Sequence, residues 1–412
     1  MSILNPVMKV AVFSDTFYPQ VNGVVNAIRN YDRTLTGLGH RVTVFTSGRK
    51  PTAGTLDGAE VRRYKAFTFL PYPEFEYSVD VIGPVADAVR LRPDVVHAHT
   101  PFLMGYCAWA TARRLRLPLV GTFHTPIDEY VMYIARRSRI SQRLLKRVAQ
   151  QYQDWFYRRC DIIIVPAPSA AAYLKVKDRT IVPVSNGIDL SRYGRAGREE
   201  IRDRFGLGDG PVIMHGGRLS FEKRIGGVID AMPLVLERVP GARLMIVGRG
   251  PAMKSLEARV AELGLGQSVV FTGYVSDADF PKMFAAADVL AINSPVETQS
   301  LIVLEAMATG LPVVGAAAGA IPDALKDGEN GFLFRTDDSQ ALADSLIRIL
   351  GDPALKARLS EGALRTAAEH SLERTTQKLV EVYEMALETK AKKYGPDGEG
   401  FPGLRAMLRR RT

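Results

Sequence analysis

Short apolar runs alternate with amphipathic stretches along this chain. The first run, K-V-A-V-F-S from Lys9, is β-branched and predicts a strand. A turn-rich loop, D-T-F-Y-P-Q-V-N-G-V, follows, and then a helical pattern to Leu38 that Gly39 stops. Further strands are predicted at R-V-T-V-F-T from Arg41, D-V-V-H-A-H from Asp94, P-L-V-G-T-F-H from Pro118 and D-I-I-I-V-P from Asp161. Strands that alternate with helices predict an α/β fold, a parallel sheet with helices on both faces.

Periodicity lapses at I-V-P-V-S-N-G-I-D-L-S-R-Y-G-R-A-G-R from Ile181, which reads as a linker. A second series of strands then starts at Pro211, Ala242, Ser268, Asp288 and Leu311. The expected domains are residues 1–186 and 187–370, similar in layout and without a visible sequence repeat. Residues 371–390 form a long amphipathic pattern, and 391–412 read as a flexible tail with a basic end. Ligands of such sheets bind outside the carboxyl ends of the strands, so the chemistry is expected there.

A chain of 412 residues exceeds one ordinary core, in line with two domains. No uncharged apolar run is long enough to cross a membrane, and the amino-terminal stretch lacks the parts of a signal peptide. Cys107 and Cys160 lack metal-ligand spacing and read as buried thiols of a reducing cytoplasm. A net charge of +10 favours an anionic partner, and no nucleic-acid motif is visible.

One acidic residue resists a packing explanation. Glu305 follows L-I-V-L and precedes A-M-A, in a helix that reads as buried on most sides and ends at Gly310. Glu297 precedes it by eight positions, in the loop before a helix opened by Ser300. Eight helical residues span about 12 Å. A retaining glycosidase pair needs about 5 Å and an inverting pair less than about 10 Å, so two separate contacts to one extended ligand fit better. Opposite charge comes from H-G-G-R-L-S-F-E-K, where Gly216 and Gly217 permit close backbone approach and Arg218 and Lys223 suit a diphosphate. Ordinary solvated cations on a surface loop are the competing reading. G-R-G-P from Gly248 is a further strand-end turn.

Three ordered motifs carry a family resemblance: N-G-V at Asn22, G-R-L-x3-K at Gly217, and E-x7-E at Glu297. Together they resemble the retaining glycosyltransferases of family 4, over about Met8 to Leu387. F-S-D-T-F-Y-P-Q-V-N-G-V, H-A-H-T-P and T-F-H-T-P-I-D-E-Y resemble its lipid-glycosylating branch. The resemblance implies a GT-B fold, two Rossmann-like doubly wound domains facing across a cleft, with the 371–390 helix crossing back to the first. It implies a hexosyltransferase using a nucleotide-diphosphate sugar of the UDP-glucose or GDP-mannose kind, with no essential metal and no cofactor. Glu305 would hold the ribose and Glu297 the sugar hydroxyls, while Arg218 and Lys223 clamp the diphosphate with the amino end of the Ser300–Leu301 helix. Tyr274 and Val275 match the base-contacting segment, Gly217 and Gly23 approach the phosphates through backbone, and His124 lies beside the donor sugar. Many relatives carry two adjacent glycines where this chain has Asn22 before Gly23.

His97 and His99 either line the acceptor side or pack, and a metal held by His97, His99 and His124 is the minor alternative. Between Arg136 and Arg159 basic residues accompany Leu144, Leu145, Val148, Tyr152, Trp155 and Phe156 at helical spacing. This reads as an interfacial helix on an anionic membrane or as a core-facing helix with a basic side. The expected function is retaining transfer of a hexose to a lipid hydroxyl such as that of diacylglycerol, by same-face attack, at the cytoplasmic face of a membrane. A soluble acceptor, a nucleotide-sugar epimerase on the same fold, and a nonenzymatic basic surface binder are the alternatives.

Overall fold

The predicted apolar runs become buried strands because helices cover both faces of each sheet. All five residues of the strand Val212–Gly216, for instance, are buried. The computed structural model describes residues 7–20, 22–50, 52–68, 76–127, 139–176 and 178–394. It divides into two units, Met1–Gly187 with Leu372–Thr412, and Ile188–Ser371.

The first unit contains β1 (Lys9–Ser14), β2 (Arg41–Gly48), β3 (Thr52–Leu56), β4 (Ala59–Thr68) and β5 (Glu76–Ser78). It continues with β6 (Val95–Ala98), β7 (Leu119–Thr122), β8 (Ile162–Val165) and β9 (Thr180–Pro183). The order is β3-β4-β2-β1-β6-β7-β8-β9, with β5 on β4. β3 and β5 run antiparallel to β4, which departs from the wholly parallel sheet expected from the sequence. The cause is local: Asp57 and Gly58 join β3 to β4 with φ of 51° and 89°, the left-handed pair a two-residue hairpin requires. β9 is a second correction, because the stretch read as linker from Ile181 begins inside a strand that pairs parallel with β8.

The helix Leu372–Tyr394 belongs to this unit. Its Leu379, Val380, Tyr383, Ala386 and Leu387 are buried in the first core. Cys107 and Cys160 are free and buried. In the helix Arg139–Tyr157 the expected apolar face divides in two. Phe156 is buried, whereas Leu144, Val148, Tyr152 and Trp155 are exposed. Arg136 and Arg137 lie outside the described residues, as do Asp128, Glu129 and Tyr130.

The second unit holds β10 (Val212–Gly216), β11 (Arg243–Val247), β12 (Val269–Gly273), β13 (Val289–Ile292), β14 (Val313–Ala316) and β15 (Gly331–Phe334). The order is β12-β11-β10-β13-β14-β15, and each described pairing is parallel. This is the doubly wound dinucleotide-fold order, in which the direction of winding reverses between β10 and β13. In such a sheet the ligand crevice forms at the switch, between the loops that follow β10 and β13. Among the described residues no helix is long and apolar enough to cross a membrane.

Candidate active site

β10 delivers the chain into the crevice at Gly216, and Gly217 turns it with φ of 119°. A side chain on Gly217 would meet open space, so packing does not demand glycine there; the backbone angle does. Two main-chain bonds tie this loop to the next one: the Gly217 N–H to the Val247 carbonyl and the Leu219 N–H to that of Arg249, both 3.0 Å. The G-R-G-P turn therefore has a structural role. A Cβ on Gly248 would lie 1.9 Å from the Gly217 carbonyl oxygen, and one on Gly250 2.2 Å from that of Leu219. Arg218, on the supported loop, is partly exposed.

Lys223 ends the short turn Phe221–Lys223, and its Nζ donates to Glu297 Oε1 at 2.7 Å. Sequence reasoning assigned these two residues to different parts of a ligand; here they hold one another. Glu297 lies in the loop after β13, and its backbone is fixed from the β14 side. The Ala320 N–H donates to its carbonyl at 2.9 Å, and Gly319 sits so close that a Cβ there would be 2.7 Å from the Glu297 nitrogen.

Ser300 caps the helix Leu301–Ala308, yet its buried Oγ has no hydrogen-bond partner and does not close the helix end. The first amide groups of the helix and one orphaned hydroxyl thus mark this end of the crevice. Leu301 begins the first turn and is partly buried.

Glu305, inside the same helix, accepts a hydrogen bond from the Tyr193 hydroxyl at 3.0 Å. Burial pushes its carboxyl up to about 7, a rise limited by the Tyr193 hydrogen bond and the nearby Arg192 charge. Arg192 is itself fixed by donating to the Asp277 carbonyl at 2.8 Å. Neither Tyr193 nor Arg192 was singled out from sequence, since both lie in the aperiodic stretch read as linker. After β12, Tyr274 is 63% exposed and Val275 packs against the core.

Gly23 and His124 belong to the first unit, at the ends of its own strands. Asn22 caps the helix Gly23–Gly37, accepting from the Val25 N–H at 3.0 Å, and this accounts for the departure from a paired glycine. A Cβ on Gly23 would meet nothing within 4 Å. His124 is buried, with its Nε2 2.9 Å from His99 Nδ1. His97 uses both ring nitrogens, one to the Tyr383 hydroxyl at 2.8 Å and the other to Thr122 Oγ1 at 2.7 Å. Burial lowers His97 and His124 to about 3 and His99 well below its usual value, so all three rings are neutral. Among the described residues no three His, Cys, Asp or Glu are grouped to hold a metal ion. Asp15, after β1, accepts from Thr100 Oγ1 at 2.5 Å and from the Met104 N–H at 3.1 Å, which caps the helix Leu103–Leu115.

Two family models match this chain, "Glycosyltransferase Family 4" over residues 21–192 and "Glycosyl transferases group 1" over 197–366. A D-inositol 3-phosphate glycosyltransferase of Saccharomonospora viridis is 30% identical over 374 residues, spanning 85% of this chain and 86% of that protein. The chain belongs to glycosyltransferase family 4. An alpha-monoglucosyldiacylglycerol synthase of Streptococcus pneumoniae is 28% identical to this glycosyltransferase over 353 residues, 82% of this chain and 78% of that one. Anabaena Alr3699/HepE, solved in complex with UDP and glucose, superposes with a TM-score of 0.71 at 22% identity. That match covers 92% of this chain and 99% of the other, and the shared fold is GT-B. The glycosyltransferase is a hexosyl-transferring enzyme.

Proposed function

We propose that this glycosyltransferase moves a hexose from a nucleoside-diphosphate sugar, of the UDP-glucose or GDP-mannose kind, to a hydroxyl of a membrane lipid such as diacylglycerol. The observation that carries the reading is the pairing of Lys223 with Glu297 at 2.7 Å, on loops that flank the winding reversal of the second sheet. A cation and a carboxylate at that position match the two ends of a sugar diphosphate. The unbonded Ser300 hydroxyl and the helix amino end supply further donors for phosphate.

In the proposed reaction the acceptor oxygen attacks the anomeric carbon on the face that the diphosphate leaves. The carbon–phosphate-oxygen bond breaks as the new glycosidic bond forms, and the departing oxygen takes the acceptor proton, so configuration is retained. Arg218 and Lys223 stabilise the charge that grows on the leaving group, and no resident metal is required for that task. Glu305 accepts from the ribose hydroxyls and Glu297 from those of the sugar, with Tyr274 and Val275 at the base. The name of the pneumococcal relative supports a diacylglycerol-type acceptor. The basic helix Arg139–Tyr157 supports docking at an anionic, cytoplasmic membrane face. The inositol-phosphate relative favours a soluble acceptor as the second reading.

A panel of nucleotide sugars scored by thermal shift identifies the donor, since a ligand at about 100 times its Kd adds about 2.7 kcal/mol. Turnover of that donor is then measured with diacylglycerol, with soluble polyols and with no acceptor. Product on diacylglycerol alone supports the proposal. Product only on polyols moves it to the second reading, and donor conversion without an acceptor assigns an epimerase.

A further inference from the structure

The helices Leu103–Leu115 and Arg139–Tyr157 carry between them an array of rings that neither helix has alone. Tyr106 lies 5.4 Å from Trp109 between ring centres, Trp109 6.4 Å from Trp155, and Trp155 stacks on Tyr152 at 5.7 Å. Two guanidinium groups sit on it, Arg159 at 3.7 Å from the Trp155 ring centre and Arg113 at 5.5 Å from that of Trp109. Tyr106, Tyr152 and Trp155 are each about two-fifths exposed, and Val148 and Leu144 extend the apolar stripe at 51% and 66%. Rings half packed and half open, stacked under arginines, suit a boundary between hydrocarbon and water.

Charge selects the partner. Asp154 is the only carboxylate in the two helices, and it is buried, accepting from Gln150 Nε2 and the Lys175 N–H. Among the described residues, the exposed ionic groups of these helices, Arg113, Arg114, Arg143, Lys146 and Arg147, are all cationic, and Arg158 follows just after the second.

We infer that this array of four rings, spanning both helices, is the part of the protein that enters the headgroup layer of an anionic bilayer. The inference rests on the lipid-acceptor reading and extends it by locating the contact: the Tyr106–Trp109 turn enters together with the basic helix. The cations supply long-range attraction, and the rings fix depth.

The protein contains two tryptophans, Trp109 and Trp155, and both are in the array. Tryptophan emission, excited selectively over tyrosine, therefore reports on this surface and no other. The full chain is mixed with vesicles of phosphatidylglycerol and phosphatidylcholine, and separately with phosphatidylcholine alone. A shift to shorter wavelength and quenching by brominated lipid are expected with the anionic vesicles only. Replacing Arg143, Lys146 and Arg147 by Gln should weaken partitioning on the order of a hundredfold, about fivefold per charge. Leu144→Ser with Val148→Ser should reduce quenching at equal bound protein, and these exposed sites leave folding intact.

Co-sedimentation with no change in emission would overturn the inference, because binding would then use another surface. Quenching that is equal for neutral and anionic vesicles would also overturn it, as would lipid-free self-association that shifts the emission. The two proposals fail separately. A wrong surface leaves turnover of detergent-dispersed diacylglycerol intact without an emission shift, whereas a wrong acceptor leaves the emission shift intact without any glycolipid product.

Discussion

Both units place polar residues toward the carboxyl ends of their central strands, but they treat them in opposite ways. Beyond β10 and β13 stand ionisable groups, Lys223 on Glu297 and, in the helix that follows, Glu305 on Tyr193, its carboxyl raised by burial. At the ends of β6 and β7 the histidines are closed on one another and on Tyr383 and Thr122, buried and neutral. A Rossmann-like scaffold thus fixes where a site is and leaves its electrostatics to the loops. The two responses to pH differ in sign as well. His97 and His124 fall from 6.5 to about 3 on folding, so their contribution to stability is present above pH 6.5 and is lost as pH drops toward 3. Glu305 rises from 4.5 to about 7, so its contribution is present at acid pH and is lost as pH climbs through that interval.

The largest test of this contrast is removal of charge from the second unit. Arg218→Ala or Lys223→Ala should lower turnover per folded molecule by a factor on the order of 100, the usual loss for one preorganised charge contact. Near-normal turnover in both variants would remove the diphosphate clamp. In the first unit, His97→Ala should act on stability. It strands the Tyr383 and Thr122 hydroxyls at about 2 kcal/mol, read by urea unfolding, with turnover per folded molecule preserved. A loss of turnover without loss of stability would make that network part of the reaction.

A smaller effect separates Glu305 from both. Glu305→Gln should stabilise the unliganded protein by about 1 kcal/mol at pH 8 and not at pH 4, less than the full shift implies because the group keeps some accessible surface. It should also weaken nucleotide binding about tenfold by titration calorimetry, the scale of one charged hydrogen bond. Unchanged affinity would leave Glu305 as a partner of Tyr193 alone. The smallest expected effect is none: a chelator should leave turnover intact. Loss that a divalent ion restores would contradict a clamp made only of protein cations and a helix end.

Much of this was legible in sequence where local chemistry is strong. Short β-branched runs identified most strands, and Gly217, Arg218, Lys223, Glu297 and Glu305 were singled out as candidates by their spacing and by one carboxylate out of place among apolar neighbours. The hairpin at Asp57-Gly58 was readable too, since that dipeptide between two short strands is a turn signal. Tyr193 carried no signal, because it sits in an aperiodic stretch and meets Glu305 across 112 positions of sequence. The Tyr383–His97 bond spans 286 positions and depends on the last helix folding onto the first sheet. Nor could periodicity tell which stripe of the Arg139–Tyr157 helix faces inward, because Phe156 and Trp155 are equally apolar and lie on different sides.

The main-chain seam between the loops at Gly217 and Gly248 has a consequence for natural variation. Position 248 is itself assigned to no ligand, yet any side chain there would strike the Gly217 carbonyl, 1.9 Å from where its first carbon must go. A missense change at that glycine would therefore shift Arg218 and present as an enzyme with poor donor affinity, although every ligand-facing residue was intact. Alleles that silence this enzyme should accumulate at two glycines behind the site as readily as at the charges inside it.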